Sequence, residues 1–146
     1  MIKIRQILLI LIVVVAVSCK NKIKIAQENL LGCWKLIEMD GGEPTMIHYV
    51  KYEEGKGQAY WGFNRLSHLF LDSVPIVYKL SLDSAENILQ TVYTSTDTAV
   101  SKLTFMEEGK YDAQVLKSKR IWSYSKITDE ELENLIVGSL DTDNFK

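Results

Sequence analysis

The sequence predicts an all-β fold, an eight-stranded antiparallel up-and-down barrel with a short C-terminal helix. Three observations predict it. From residue 31 to residue 127, short stretches rich in β-branched and aromatic residues alternate apolar and polar positions, as half-buried strands do. Turn signals such as Asp40-Gly41-Gly42 and Glu108-Gly109 separate these stretches at hairpin spacing. The period then changes at Thr128-Asp129-Glu130-Glu131, a helix capping box. Eight short strands must bury one face and dispose of their edges, and closure into a barrel does both. A two-sheet sandwich is also compatible with the alternation.

The chain opens with Lys3 and Arg5, an unbroken apolar run over residues 7–17, and Ser18-Cys19. A basic start, a short apolar core and a small residue at the boundary make a secretory signal peptide. Eleven helical residues would reach roughly 16 Å, about half of the ~30 Å bilayer core, too short for a comfortable span. Ala16-Val17-Ser18-Cys19 resembles the lipobox of bacterial lipoproteins. That resemblance implies cleavage after residue 18 and acyl chains on Cys19, which anchor the protein to a membrane. One acyl chain holds a protein only marginally, and two or three hold it stably. Cys33 is then the one remaining cysteine, and no intramolecular disulfide is possible.

Removing 18 of the 146 residues leaves 128, enough for one domain with a real core. Losing Lys3 and Arg5 from 17 basic residues leaves 15 against 19 acidic ones, a net charge of −4. With the exported address, this argues against a nucleic-acid partner. Residues 19–30 are expected as the lipidated cysteine and a tether. Lys20, Lys22 and Lys24 in it either attract anionic headgroups or are simply solvated. Some surface-exported lipoproteins carry an acidic run after the cysteine. Lys20-Asn21-Lys22 instead points to the periplasmic side of the outer membrane.

The expected strands follow in order at residues 31–39, 46–52, 58–63, 75–83, 88–94, 99–107, 110–117 and 120–127. Residues 65–72 are ambiguous between a strand, a loop and a helical turn. In the stretch 75–83, Ile76, Tyr78, Leu80 and Leu82 share one face, opposite Lys79, Ser81 and Asp83. After Thr128, Leu132, Leu135 and Ile136 fall at helical spacing, and Gly138 is a natural stop. The domain is therefore expected over residues 31–137, with a polar tail at 138–146.

Leu31-Gly32-Cys33-Trp34-Lys35-Leu36 resembles the opening strand of lipocalin-like domains, in particular those of small bacterial lipoproteins. The resemblance implies that Gly32 lets the chain turn into the barrel floor and that Trp34 plugs one end. It also implies a cation from the last strand over the indole. The barrel-closing candidates on the last strand are Arg120 and Trp122, with Arg120 as the cation, although the family's usual basic position, two after the Trp, holds Tyr124.

No catalytic constellation stands out. His48 and His68 lack the spacing of a metal pair, and Ser67-His68 would point to opposite faces of a strand. With no cofactor or metal expected, the protein is read as a non-enzyme. Cys33, facing away from the interior if Trp34 faces in, is expected as a small apolar filler. The aromatic residues supply either a packed core or a ligand cavity, with Tyr78, Tyr93, Phe105 and Tyr111 as candidate ligand contacts. Tyr60-Trp61-Gly62-Phe63 places aromatics on both faces. Tyr60, Trp61 and Phe63 are therefore the candidate interaction patch. The expected function is a lipid-anchored cell-envelope protein holding a small apolar or amphipathic ligand. The alternative is a packed barrel that contacts an envelope protein partner and holds no ligand.

Overall fold

The computed structural model describes residues 4–65, 68–106 and 109–140, with side chains for all of these except 4–16, 63–65, 68, 70 and 139–140. Helix α1 (Ile4–Leu30) leads into eight strands: β1 (Gly32–Met39), β2 (Ile47–Glu53), β3 (Lys56–Arg65), β4 (His68–Leu82), β5 (Ile88–Tyr93), β6 (Thr98–Met106), β7 (Lys110–Val115) and β8 (Ile121–Ile127). Helix α2 (Asp129–Leu140) follows. Each strand pairs antiparallel with the next, and β8 returns to β1, so the sheet closes as an up-and-down barrel. The ambiguous stretch at residues 65–72 belongs mostly to β4, which runs unbroken for 15 residues. Pro75 is tolerated inside it because pairing with β5 begins only at Val77.

The interior is built by period-two alternation. Trp34, Leu36, Val50, Tyr52, Ala59, Ile76, Tyr78, Leu103, Tyr111, Ala113 and Tyr124 form one buried cluster. A bulge between Leu36 and Glu38 resets the phase of β1, so that Met39 rather than Glu38 joins the core.

One end of the barrel is closed by the end of α1. The segment expected as a tether is helical, and its last turn packs onto the barrel, with Ala26 and Leu30 at 1% and 0% exposure. The Trp34 indole donates to the Leu30 carbonyl at 2.7 Å, which satisfies one of the carbonyls that a helix end leaves open. Gly32, at φ +111°, turns the chain between them, and a side chain there would press on Lys126. The Gln27 amide donates to the Tyr78 hydroxyl, which donates in turn to the Glu53 carbonyl at 2.7 Å. Lys22 reaches the Glu86 carbonyl at 2.6 Å and its carboxylate at 3.7 Å, so it is not merely solvated.

The cation over Trp34 is Lys126, at 5.4 Å from the ring centroid, and not Arg120. The register pairs Trp34 with Lys126 across β1 and β8. Arg120 lies at the opposite end of the barrel, where its Nε stands 3.7 Å from Asp40 Oδ2. Trp122 likewise pairs with Met39, away from the closed floor.

Outside the barrel, α2 covers β1 and its neighbours. Leu132 is buried with Cys33 and Tyr49, and Ile47, Tyr60, Leu71, Leu135 and Ile136 pack around them. Thr128 Oγ1 accepts from the Glu131 backbone N–H at 3.0 Å, as the capping box predicts. Gly138 does not end α2, which runs on to Leu140. A glycine inside a helix costs only about 0.5–1 kcal/mol relative to alanine, and the packing of Leu132 outweighs it. The tail at residues 141–146 lies outside the described residues.

Trp34 is the test of this arrangement. Trp34→Ala is expected to lower unfolding stability by about 3–5 kcal/mol. Trp34→Phe, which keeps most of the ring and leaves the Leu30 carbonyl buried without its donor, should lose about 1–3 kcal/mol. Urea unfolding followed by circular dichroism reads both.

Candidate functional site

Above its floor the barrel is hollow. A cavity of about 290 Å³ lies inside, bounded by side chains from β2 to β8. Ligand pockets run from about 300 to 1,000 Å³, so this one sits at the small end of that range. Tyr52 and Tyr111 form its bottom, and each stands edge-on to the layer beneath: Tyr111 on Trp34 at 4.7 Å, Tyr52 on Tyr78 at 5.1 Å. Val50, Ala59, Val74, Ile76, Val92 and Ala113 make apolar walls. Thr94 and Asp97, in the β5–β6 turn, stand at the mouth.

An aromatic cluster occupies the wall toward the mouth. His48 pairs with Trp61 across β2 and β3, and their rings stack at 3.8 Å. Trp122 stands edge-on to both, at 5.9 Å from His48 and 6.1 Å from Trp61. His48 Nδ1 lies 2.8 Å from the Tyr124 hydroxyl, and Tyr124 stacks on Tyr111 at 4.9 Å. Burial pushes the His48 imidazole down to about 4, so the ring is neutral near pH 7. Burial also raises the phenols of Tyr52, Tyr111 and Tyr124, which stay protonated. Two buried nitrogens of the lining residues have no hydrogen-bond partner among the described residues, His48 Nε2 and Trp122 Nε1, while the Gln90 amide is hydrogen-bonded to Tyr52.

Of the four expected ligand contacts, only Tyr111 lines the cavity. Tyr78 faces inward but lies in the floor, where it bonds Glu53. Phe105 packs beside Tyr111 in the core. Tyr93 points out of the barrel and is 41% exposed, because β5 places Gln90 and Val92 on the inner face. The expected interaction patch is divided. Tyr60 packs beneath α2, Trp61 faces the cavity, and the side chain of Phe63 lies outside the described residues. Sequence reasoning passed over His48, Gln90 and Tyr124. Period-two alternation from Val50 and Tyr52 places His48 on the inner face, and this was the available signal.

Cys33 lies under α2. Its thiol donates to Asp129 Oδ1 at 2.8 Å, and Lys51 Nζ stands 3.4 Å from the same oxygen. Burial, then Asp129, pushes the thiol up to about 12. The same hydrogen bond, then Lys51, holds the Asp129 carboxyl below its ordinary range. This cluster fastens the start of α2 to β1 and β2. Among the described residues no three His, Cys, Asp or Glu side chains are grouped to hold a metal ion.

The fold and cavity define a class: a closed eight-stranded barrel whose floor is sealed by a helix and whose interior is a small, mostly apolar chamber. No protein-family model matches the chain, and no curated protein or solved structure is detectably similar to it.

Two outcomes are expected from these environments. His48 titrates at about 4 when folded and 6.5 in its unperturbed form. Between those values the unfolded chain binds a proton that the folded chain does not. Stability is therefore full above pH 6.5 and falls as the pH drops toward 4, by about 3 kcal/mol. Urea unfolding at several pH values should show that decline, and His48→Gln should remove most of it. For Cys33, a folded thiol near 12 against 9.0 unperturbed should slow alkylation at pH 8 by about 1,000-fold relative to the unfolded chain. Iodoacetamide labelling of Cys19→Ser protein, with and without urea, measures that ratio.

Proposed function

We propose that this protein is a lipid-anchored cell-envelope protein of the lipocalin-like kind. Its barrel holds a small apolar or amphipathic molecule. The chamber of about 290 Å³ inside the barrel carries this reading, because native interiors normally close-pack and leave few voids larger than a water molecule. Its apolar walls supply the hydrophobic contact, and its few inward polar groups supply orientation. The Gly32-x-Trp34 opening and the cation over Trp34 support the lipocalin-like assignment. Lys126 fills the role for which Arg120 was the first candidate.

The basic start, the short apolar run and Ala16-Val17-Ser18-Cys19 support the anchor. Cys19 precedes Leu30 by eleven residues on α1, roughly 16 Å along the helix. Since the end of α1 closes the barrel floor, acyl chains on Cys19 would place the membrane on the floor side. The mouth at Thr94 and Asp97 would then open away from it, toward the periplasm under an outer-membrane location.

Two measurements test the proposal. Protein purified from membranes should carry a small apolar molecule detectable by mass spectrometry of the extract. Ala113→Phe, whose ring fills the chamber, should purify without it while keeping its β-sheet spectrum. A wild-type extract no richer than that of the variant would sink the ligand reading. Metabolic labelling with tagged palmitate should mark the wild type and not Cys19→Ser. Equal label in both would sink the anchor.

A further inference from the structure

The barrel wall is incomplete on one side of the mouth. β4 pairs with β5 only from Val77 to Leu82, so above Val77 its edge passes the β5–β6 turn without pairing to it. Val74 and Ile76 line the chamber on one side of this gap, and Thr94 and Asp97 line it on the other. Asp72 is the next inward residue of β4 above Val74. It sits directly opposite Trp61, which faces the chamber, and residues opposite each other in an antiparallel pair share a face. Two carboxylates, one from β4 and one from the β5–β6 turn, therefore flank the opening. Neither is in an ion pair among the described residues.

The polar side-chain atoms that a ligand can reach are oxygens. His48 Nε2 and Trp122 Nε1 are sealed even from a water-sized molecule, and the Gln90 amide is taken up by Tyr52. Thr94 Oγ1 donates its proton to the Asp97 carbonyl at 3.2 Å, so it has no donor left to offer. Asp97 Oδ1 accepts from the Thr98 N–H at 2.8 Å, and its other carboxylate oxygen has no partner among the described residues. Ser101, set deeper and opposite Gln90, makes no hydrogen bond among the described residues and can donate or accept. The described lining contains no Lys or Arg. Lys117, Lys119 and Arg120 lie in the β7–β8 turn, outside that lining, and Arg120 faces Asp40. An anionic head group at the gap would meet two like charges. A carbonyl oxygen would find one donor, Ser101. A protonated amine brings the opposite charge and three donors.

We infer that the barrel selects a protonated amine with a compact apolar body, the body in the chamber and the ammonium in the gap between Asp97 and Asp72. The body supplies most of the affinity. Both carboxylates are exposed, and exposed ion pairs are weak, so they select the head group more than they hold it. This inference rests on the ligand-binding reading above and adds the chemical class.

Three probes of one shape test it: phenethylamine, 2-phenylethanol and phenylacetate. Each is titrated by calorimetry into the full chain in phosphatidylcholine vesicles at pH 7.5 and low salt, with protein-free vesicles as the blank. Phenethylamine should bind about tenfold more tightly than 2-phenylethanol, as two exposed carboxylates allow, and phenylacetate should bind most weakly. High salt should shrink the gap between amine and alcohol. Asp97→Asn keeps an oxygen for the Thr98 N–H and removes the charge. It should weaken phenethylamine about fivefold and leave 2-phenylethanol within a factor of about two, which also shows that the chamber is intact. Asp72→Asn should act in the same direction. Phenylacetate binding tightest, phenethylamine no tighter than 2-phenylethanol, or equal losses of both probes in Asp97→Asn would each overturn the inference and leave the ligand-binding reading standing. If none of the three binds, both fall.

Discussion

The hydrogen bond from the Trp34 indole to the Leu30 carbonyl is the constraint on which the rest depends. It joins the last turn of a helix to the first strand of a barrel, four residues apart in sequence. A helix end buried without partners would be costly, since its terminal carbonyls have no donors of their own. A Trp on the first strand turns that cost into a seal. The indole fills the floor, donates to the helix, meets Tyr111 edge-on and lies under Lys126. Gly32 makes the geometry possible, because the turn between the two elements needs a φ that other residues adopt only with strain.

With the floor fixed, the interior divides into layers. Beneath, Trp34, Tyr78 and Leu30 are fully packed. In the middle, Tyr52 and Tyr111 support the chamber from below, and toward the mouth His48, Trp61 and Trp122 form its aromatic wall. The large rings stand against their neighbours on the wall, while Ala59, Ala99 and Ala113 face inward with almost no side chain. The hollow is the space that those alanines leave. Outside, α2 plays the complementary part. It buries the outward face of β1 to β4 under Leu132 and is fastened at its start through Asp129, Cys33 and Lys51.

Much of the fold was legible because alternation of period two is a direct image of a barrel wall. The strand count, the inward face of β4 and the Thr128 cap all followed from local pattern. What was not legible depended on register. The choice between Arg120 and Lys126 as the cation over Trp34 is a matter of which residue β8 sets opposite β1, and the bulge at Leu36/Glu38 shifts that pairing. The length of β4 was hidden because Pro75 reads as a breaker until it is known that the pairing of β4 with β5 begins two residues later, at Val77. The site was less legible than the fold. Aromatic residues mark both core and cavity alike, so Tyr78 and Phe105 looked equivalent to Tyr111. Only the layer at which each sits, set by the whole barrel, separates them. His48 looked isolated because its partners Trp61, Trp122 and Tyr124 come from other strands.

Amide hydrogen exchange tests the central claim most directly. If the end of α1 is the barrel floor, the amides of residues 26–31 open only when the barrel does. They should then exchange as slowly as those of β1, at the rate of global unfolding. Exchange of that segment within seconds, with β1 still protected, would mean that the helix is an appendage and the barrel is closed by something else.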